Sequence, residues 1–181
     1  MNGLSLDLPA GENMIQTIGV IGAGQMGNGI AQVAACAGYD VVMIDIKDEY
    51  VEKGLGTIQF SLGKLVSKER MTQADADAAL ARIKTGTERS MCADCDLVVE
   101  AVPEVLSLKQ DIFTELDSIC KPETILASNT SSISITTIAA STQRPEKVIG
   151  MHFMNPVPIM KLVEIINGAQ TSEATNSAVV E

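Results

Sequence analysis

An apolar run, Thr17–Ile21, passes straight into Gly22-Ala23-Gly24-Gln25-Met26-Gly27, and a helical pattern opens there. Few folds accommodate that order. A strand that turns this tightly into a helix needs a residue without a side chain at the turn, and Gly22 supplies it. Gly24 lets backbone N–H groups approach a bound anion, and Gly27 lets helix and strand pack closely. The helix N-terminus then faces the anion with unpaired N–H groups and the positive end of its dipole. Three glycines alone are a weak signal, but the surroundings strengthen it. A second strand candidate, Val41–Asp45, ends in an acid 18 residues past Gly27. A carboxylate at that place accepts hydrogen bonds from adenosine ribose hydroxyls and repels a 2′-phosphate, so the pattern predicts an NAD site rather than an NADP site. A plain turn with a helix-capping Asp45 is the alternative. It leaves the coincidence of strand, loop, helix and acid unexplained.

The remaining pattern extends this unit. Further strand candidates are Leu97–Val102, Ile125–Ser128, Val148–Phe153 and Leu162–Ile166, rich in Val and Ile and mostly continuous rather than alternating. Strands buried on both faces of a parallel sheet look like this. Between them, Met26, Ile30, Val33, Ala34 and Ala37 recur at helical spacing before Gly38, as do Val105, Leu108, Ile112, Leu116 and Ile119 before Pro122. The predicted fold is α/β, a doubly wound and mostly parallel Rossmann-like sheet with a C-terminal antiparallel strand pair. The connection from Asp45 to Leu97 holds two helical patterns, near 48–69 and 73–83, with Thr72 to Asp75 as a capping-box start. They predict a helical hairpin inserted at about 48–84. The expected organisation is a polar leader over 1–14 and one NAD-binding domain over 15–181.

Composition excludes other roles. The 181 residues are 46% hydrophobic, enough for a sizeable core without a metal or disulfide staple. Thirteen Lys and Arg against 23 Asp and Glu leave a net charge of −10. Such a surface repels phosphate backbones and anionic lipid, so neither nucleic acid nor membrane is an expected partner. Residues 1–14 carry two acids, no base and no apolar run, unlike a signal or transit peptide. The four cysteines are therefore expected as reduced thiols in a cytoplasmic protein. Cys92-Ala93-Asp94-Cys95 is a CxxC, but a zinc site needs two more ligands, and a redox pair usually opens a helix rather than leading into a strand. No metal is expected.

The single histidine stands in Gly150-Met151-His152-Phe153-Met154-Asn155-Pro156-Val157-Pro158. A lone strand histidine is more often a satisfied core residue than a catalyst. Here the Asn-Pro-Val-Pro turn and the strand candidate after it predict a hairpin centred on Pro158, which sets Glu164 opposite His152, each six residues from the centre. A carboxylate facing an imidazole fixes its tautomer and stabilises its charged form, as a general base requires. Asn129-Thr130-Ser131-Ser132 follows a buried strand, at the sheet edge where open α/β folds bind ligands. A hydroxyl-rich loop capping the next helix is the alternative there.

Taken together, the glycine loop, Val98-Val99-Glu100-Ala101-Val102-Pro103-Glu104, Ala127-Ser128-Asn129-Thr130-Ser131-Ser132 and the run from His152 to Glu164 resemble the NAD-binding domain of L-3-hydroxyacyl-CoA dehydrogenases, with the 3-hydroxybutyryl-CoA dehydrogenases the nearest subgroup. The resemblance covers about residues 15–181. It implies that His152 is the catalytic base, Glu164 its partner, and Ser131 a contact to substrate oxygen. It places Gly22, Gly24, Gln25, Met26, Gly27, Asp45, Glu104, Lys109 and Asn155 at NAD, and Ser61 and Lys68 at coenzyme A. Ser61, Lys64 and Lys68 also fall at i, i+3 and i+7 on one helix face. The implied reaction is reversible hydride transfer from C3 of a 3-hydroxyacyl-CoA, giving the 3-ketoacyl-CoA. A hydroxy-acid dehydrogenase that does not use CoA, and an NAD-binding module without turnover, are the alternatives. In the resembled family a helical C-terminal domain follows, completing the substrate site and forming the dimer. Thr171 to Glu181 only begins a helical pattern, with Thr171 as the expected cap. The expectation is a chain that lacks this domain, folds, binds NAD and has little or no turnover alone.

Overall fold

The computed structural model describes residues 15–180. The polar leader expected over 1–14 lies outside the described residues. Seven strands form one sheet in the order β3-β2-β1-β4-β5-β6-β7. They are β1 (Thr17–Ile21), β2 (Asp40–Ile44), β3 (Ile83–Gly86), β4 (Leu97–Glu100), β5 (Ile125–Ser128), β6 (Val148–Phe153) and β7 (Val163–Asn167). All neighbours are parallel except β6 and β7, which are antiparallel. This is the predicted Rossmann-like sheet. Its central strands are apolar on both faces because helices cover both. Against one face, Val20, Val41, Met43, Val99 and Ala127 pack on α1 (Gln25–Cys36), α2 (Asp48–Ser67) and α3 (Gln73–Ala81). Against the other, Ile21, Ile44, Val98 and Leu126 pack on α4 (Leu106–Ile119) and α5 (Ile135–Ala139).

The long connection differs from expectation. Its helical pattern stops at Ala81, and Ile83–Gly86 is an edge strand paired in parallel with β2, from Val41 opposite Ile83 to Ile44 opposite Gly86. The helical pair is therefore the crossover between β2 and β3 rather than a detour inserted between sheet strands. Four residues, one of them exposed and none buried, are too few for an alternation to show. Thr72 does cap α3, its hydroxyl accepting from the Asp75 N–H at 3.1 Å.

At the far edge the predicted hairpin forms, with His152 paired to Glu164 across β6 and β7. The last helix, α6 (Glu173–Val180), starts one residue later than expected. Its cap is Ser172, whose hydroxyl accepts from the Thr175 N–H at 3.1 Å. Thr171 is turned back to the sheet instead, donating to the Val148 carbonyl and accepting from Gly168 N–H.

Candidate cofactor and catalytic site

The glycine loop opens at the carboxyl end of β1. Gly22 has φ of +101°, and a Cβ there would also meet the Ala101 carbonyl at 2.8 Å. A Cβ on Gly27 would lie 1.7 Å from the Gly22 oxygen, so helix and loop touch backbone to backbone. Gly24 faces open space, with nothing within 4 Å of where its Cβ would stand. No side chain caps α1, and its first turn carries no acid. The donors of that helix end are thus left to a ligand anion. Met26 is half-buried and packs on the core, so its contribution there is through the backbone and packing.

Asp45 stands just past β2. One carboxylate oxygen accepts from Ala23 N–H and the other from Ile46 N–H, both at 2.7 Å. It ties the glycine loop to the end of β2 and does not cap α2, whose cap position is Lys47. A cleft of about 900 Å³ runs from Gly22, Ala23 and Gly24 past Asp45, between Ile46 and Tyr50 on one side and Leu108 and Ile112 on the other. A bare helix end for a pyrophosphate, a carboxylate for a ribose and an apolar slot for a flat ring fit a dinucleotide.

The other half of the site lies over β4, β5 and β6. His152 Nδ1 is 2.8 Å from Glu164 Oε2. Among the described residues nothing claims Nε2, which is the nitrogen a general base uses when a carboxylate holds the other. Three contacts position this strand end. Asn129 Oδ1 accepts from Phe153 N–H at 2.9 Å. Gln25 Nε2 donates to Asn155 Oδ1 at 3.1 Å, joining the glycine loop to the turn after His152. Val157 is buried against Gly29 of α1, where a Cβ would come within 2.7 Å of its own Cβ.

Glu104 clasps the hydroxyl-rich loop, accepting from the Thr130 and Ser132 hydroxyls and from the Ser131 and Ser132 N–H groups. Lys109 is 1% exposed and donates to Glu100 Oε1 at 2.7 Å, with Glu104 Oε2 and the Val102 carbonyl each at 3.3 Å. An ammonium has three donors, so none remains for a ligand, and Lys109 acts through Glu104 on the hydroxyl-rich loop. Glu100, fully buried, was not among the sequence candidates. An acid at the end of the apolar run Leu97–Val99 was the available signal. Burial would raise the Glu104 carboxyl, but the Thr130 hydroxyl and the Lys109 ammonium outweigh it and hold it at about 2. A pKa depressed from 4.5 to about 2 adds stability that is complete above 4.5 and is lost as the pH falls through 2. The urea midpoint is therefore expected to drop more steeply over that acid range in the wild type than in Glu104→Gln. Parallel curves would contradict the clasp.

Ser61 and Lys68 are not brought to this cleft. Ser61 is half-buried late in α2, Lys68 is exposed one residue beyond it, and Lys64 stands 4.2 Å from the Phe60 ring. Cys92 and Cys95 are buried beneath β1, their sulfurs about equally close to where a Cβ of Gly19 would stand, at 3.1 and 3.2 Å. Burial pushes the Cys120 thiol beside them up to about 11. These thiols belong to the core.

Residues 17–181 match the family described as 3-hydroxyacyl-CoA dehydrogenase, NAD binding domain. The chain belongs to this family. A probable 3-hydroxybutyryl-CoA dehydrogenase of Deinococcus radiodurans is 56% identical over 163 residues, covering 90% of this chain and 58% of that protein. The 3-hydroxybutyryl-CoA dehydrogenase of Bradyrhizobium diazoefficiens is 52% identical, covering 91% and 56%. The crystal structure of (S)-3-hydroxybutyryl-CoA dehydrogenase from Ralstonia eutropha superposes with a TM-score of 0.89 at 52% identity, covering 91% of this chain and 58% of that one. The chain thus spans a little over half the length of the relatives it matches. The family description names the 3-hydroxyacyl-CoA dehydrogenase domain as NAD-binding, which supports NAD as the cofactor.

Proposed function

We propose that this chain carries the NAD site and the catalytic base of an oxidoreductase that interconverts (S)-3-hydroxyacyl-CoA, with 3-hydroxybutyryl-CoA the first choice, and 3-ketoacyl-CoA. The observation that carries the reading is the His152–Glu164 pair at 2.8 Å, at the strand edge joined to the glycine loop by Gln25 and Asn155. NAD, when bound, supplies the hydride acceptor. Glu164 holds the proton on Nδ1 of His152, so that Nε2 takes the proton of the C3 hydroxyl and returns it in reduction. Ser131 presents its exposed hydroxyl from the loop that Glu104 clasps, where it would hold the same substrate oxygen. Asn155 would orient the nicotinamide end of the cofactor. Ser61 and Lys68 would hold the CoA moiety along α2, outside the cleft. The relatives' names support the acyl-CoA substrate, and one 43% identical protein of Escherichia coli is a 3-hydroxyadipyl-CoA dehydrogenase, so the acyl group varies among them. The setting we propose is cytoplasmic fatty acid or butanoate metabolism.

The test is NADH consumption by the chain with acetoacetyl-CoA and with free acetoacetate. Consumption with the thioester and none with the free acid is expected, at however low a rate. Equal rates would make it a hydroxy-acid dehydrogenase that ignores CoA, and saturable NADH binding without turnover on either, in a protein spanning the full length of the relatives, would make it a binding module.

A further inference from the structure

The carboxyl end of β4 gathers more charge than a closed ion pair needs. Glu100 and Lys109 alone would make a closed pair. A buried ion pair is seldom more stable than apolar residues of the same volume, because desolvation consumes the attraction. Here a second carboxylate, Glu104, faces the same ammonium, so Glu100, Lys109 and Glu104 leave one net negative charge.

Glu100 is the fully buried carboxylate of the three groups, and both of its oxygens are bonded. Its Oε1 accepts from Lys109 and from Val102 N–H, both at 2.7 Å, and its Oε2 accepts from the Ser128 hydroxyl at 2.6 Å. Ser128 Oγ in turn accepts from Thr130 N–H at 3.2 Å. The carboxylate thereby fastens the end of β4 to the end of β5 and sets both the root of the Asn129–Ser132 loop and the lysine that faces Glu104.

The place of this charge follows from topology. The strand order reverses between β1 and β4, and dinucleotides lie across such a switch point. With the adenosine ribose at Asp45 on the β2 side and the pyrophosphate at the glycine loop, the other half lies over β4 and β5. The nicotinamide ring is cationic when oxidised and neutral when reduced, so a fixed negative charge there discriminates between the two forms.

We propose that Glu100 is a positioning residue that tunes the site, its buried carboxylate setting the Lys109–Glu104 clasp and keeping one negative charge beneath the nicotinamide end so that NAD⁺ is favoured relative to NADH. The inference rests on the cofactor reading above.

The experiment measures dissociation constants of both nucleotides, NAD⁺ by calorimetry and NADH by fluorescence, for the wild-type chain and for Glu100→Gln. Removing one unit charge at short range is expected to weaken NAD⁺ about tenfold relative to NADH. A common factor for both nucleotides, or no change in either, would overturn the proposal, because a merely structural residue cannot read the ring's charge. Where Glu100→Gln does not fold, Glu104→Gln removes the same unit of charge from a partly exposed side chain. It must move the ratio in the same direction, and an unchanged ratio overturns the proposal equally. A wild-type chain that binds neither nucleotide would overturn the cofactor reading itself.

Discussion

Replacing His152 with glutamine is expected to lower acetoacetyl-CoA-dependent NADH consumption by about 10²–10⁴-fold, the usual contribution of a positioned general base. Glutamine keeps a polar end toward Glu164 but has no basic nitrogen. NADH affinity is expected to stay as in the wild type, because His152 does not line the glycine-loop cleft. That split separates a base from a residue that only holds the hairpin, since a loosened β6–β7 pair would release Gln25 from Asn155 and weaken the cofactor too. Steady-state rates and an NADH titration on the same preparation give both numbers. Unchanged turnover in His152→Gln would remove it as the base. Glu164→Gln is expected to lower turnover as well, by up to about 10⁴-fold, because an amide facing Nδ1 no longer holds the tautomer that leaves Nε2 free to take the proton.

Gly27→Ala is expected to damage cofactor binding, which His152→Gln leaves intact. Its Cβ would sit 1.7 Å from the Gly22 oxygen, so either α1 or the glycine loop must move. Both carry the donors left for the cofactor anion. Losing about two charge-assisted hydrogen bonds costs about 3 kcal/mol, or about a hundredfold in NADH affinity. Overpacking lowers folding stability by a further amount, about 1–3 kcal/mol. Gly63→Ala is the matched control: it is exposed in α2 with nothing within 4 Å of the added Cβ. It should stabilise the helix by about 0.5–1 kcal/mol and leave binding untouched. Denaturant midpoints and NADH titrations check both. Wild-type affinity in Gly27→Ala would mean that the loop does not hold the cofactor.

Much of this site was legible before any coordinates. The Asn155-Pro156-Val157-Pro158 turn implies a fold-back, and counting from its centre pairs His152 with Glu164, the register that the sheet adopts. Continuous Val and Ile runs announce strands covered on both faces, and Asp45 announces itself by distance from the glycines. What escaped has physical reasons. Strand β3 is four residues of Ile83-Lys84-Thr85-Gly86 at a sheet edge, too short and too little buried for an alternation to show. The buried state of Lys109 is decided by Glu100 and Glu104, which the chain brings to it only when α4 packs back on β4. Likewise the bond between Gln25 and Asn155 spans 130 residues, and nothing local pairs the two. The closeness of Val157 to Gly29 is of the same kind. Local periodicity places elements, whereas the polar contacts that align one element's end with another's are tertiary.

The most direct test of the NAD assignment is a titration of the wild-type chain with NADH and with NADPH, followed by nicotinamide fluorescence. Saturable NADH binding is expected, with NADPH at least about tenfold weaker, because a 2′-phosphate would meet the Asp45 carboxylate. Equal affinity for the two nucleotides, or no saturable binding of NADH, would contradict the account.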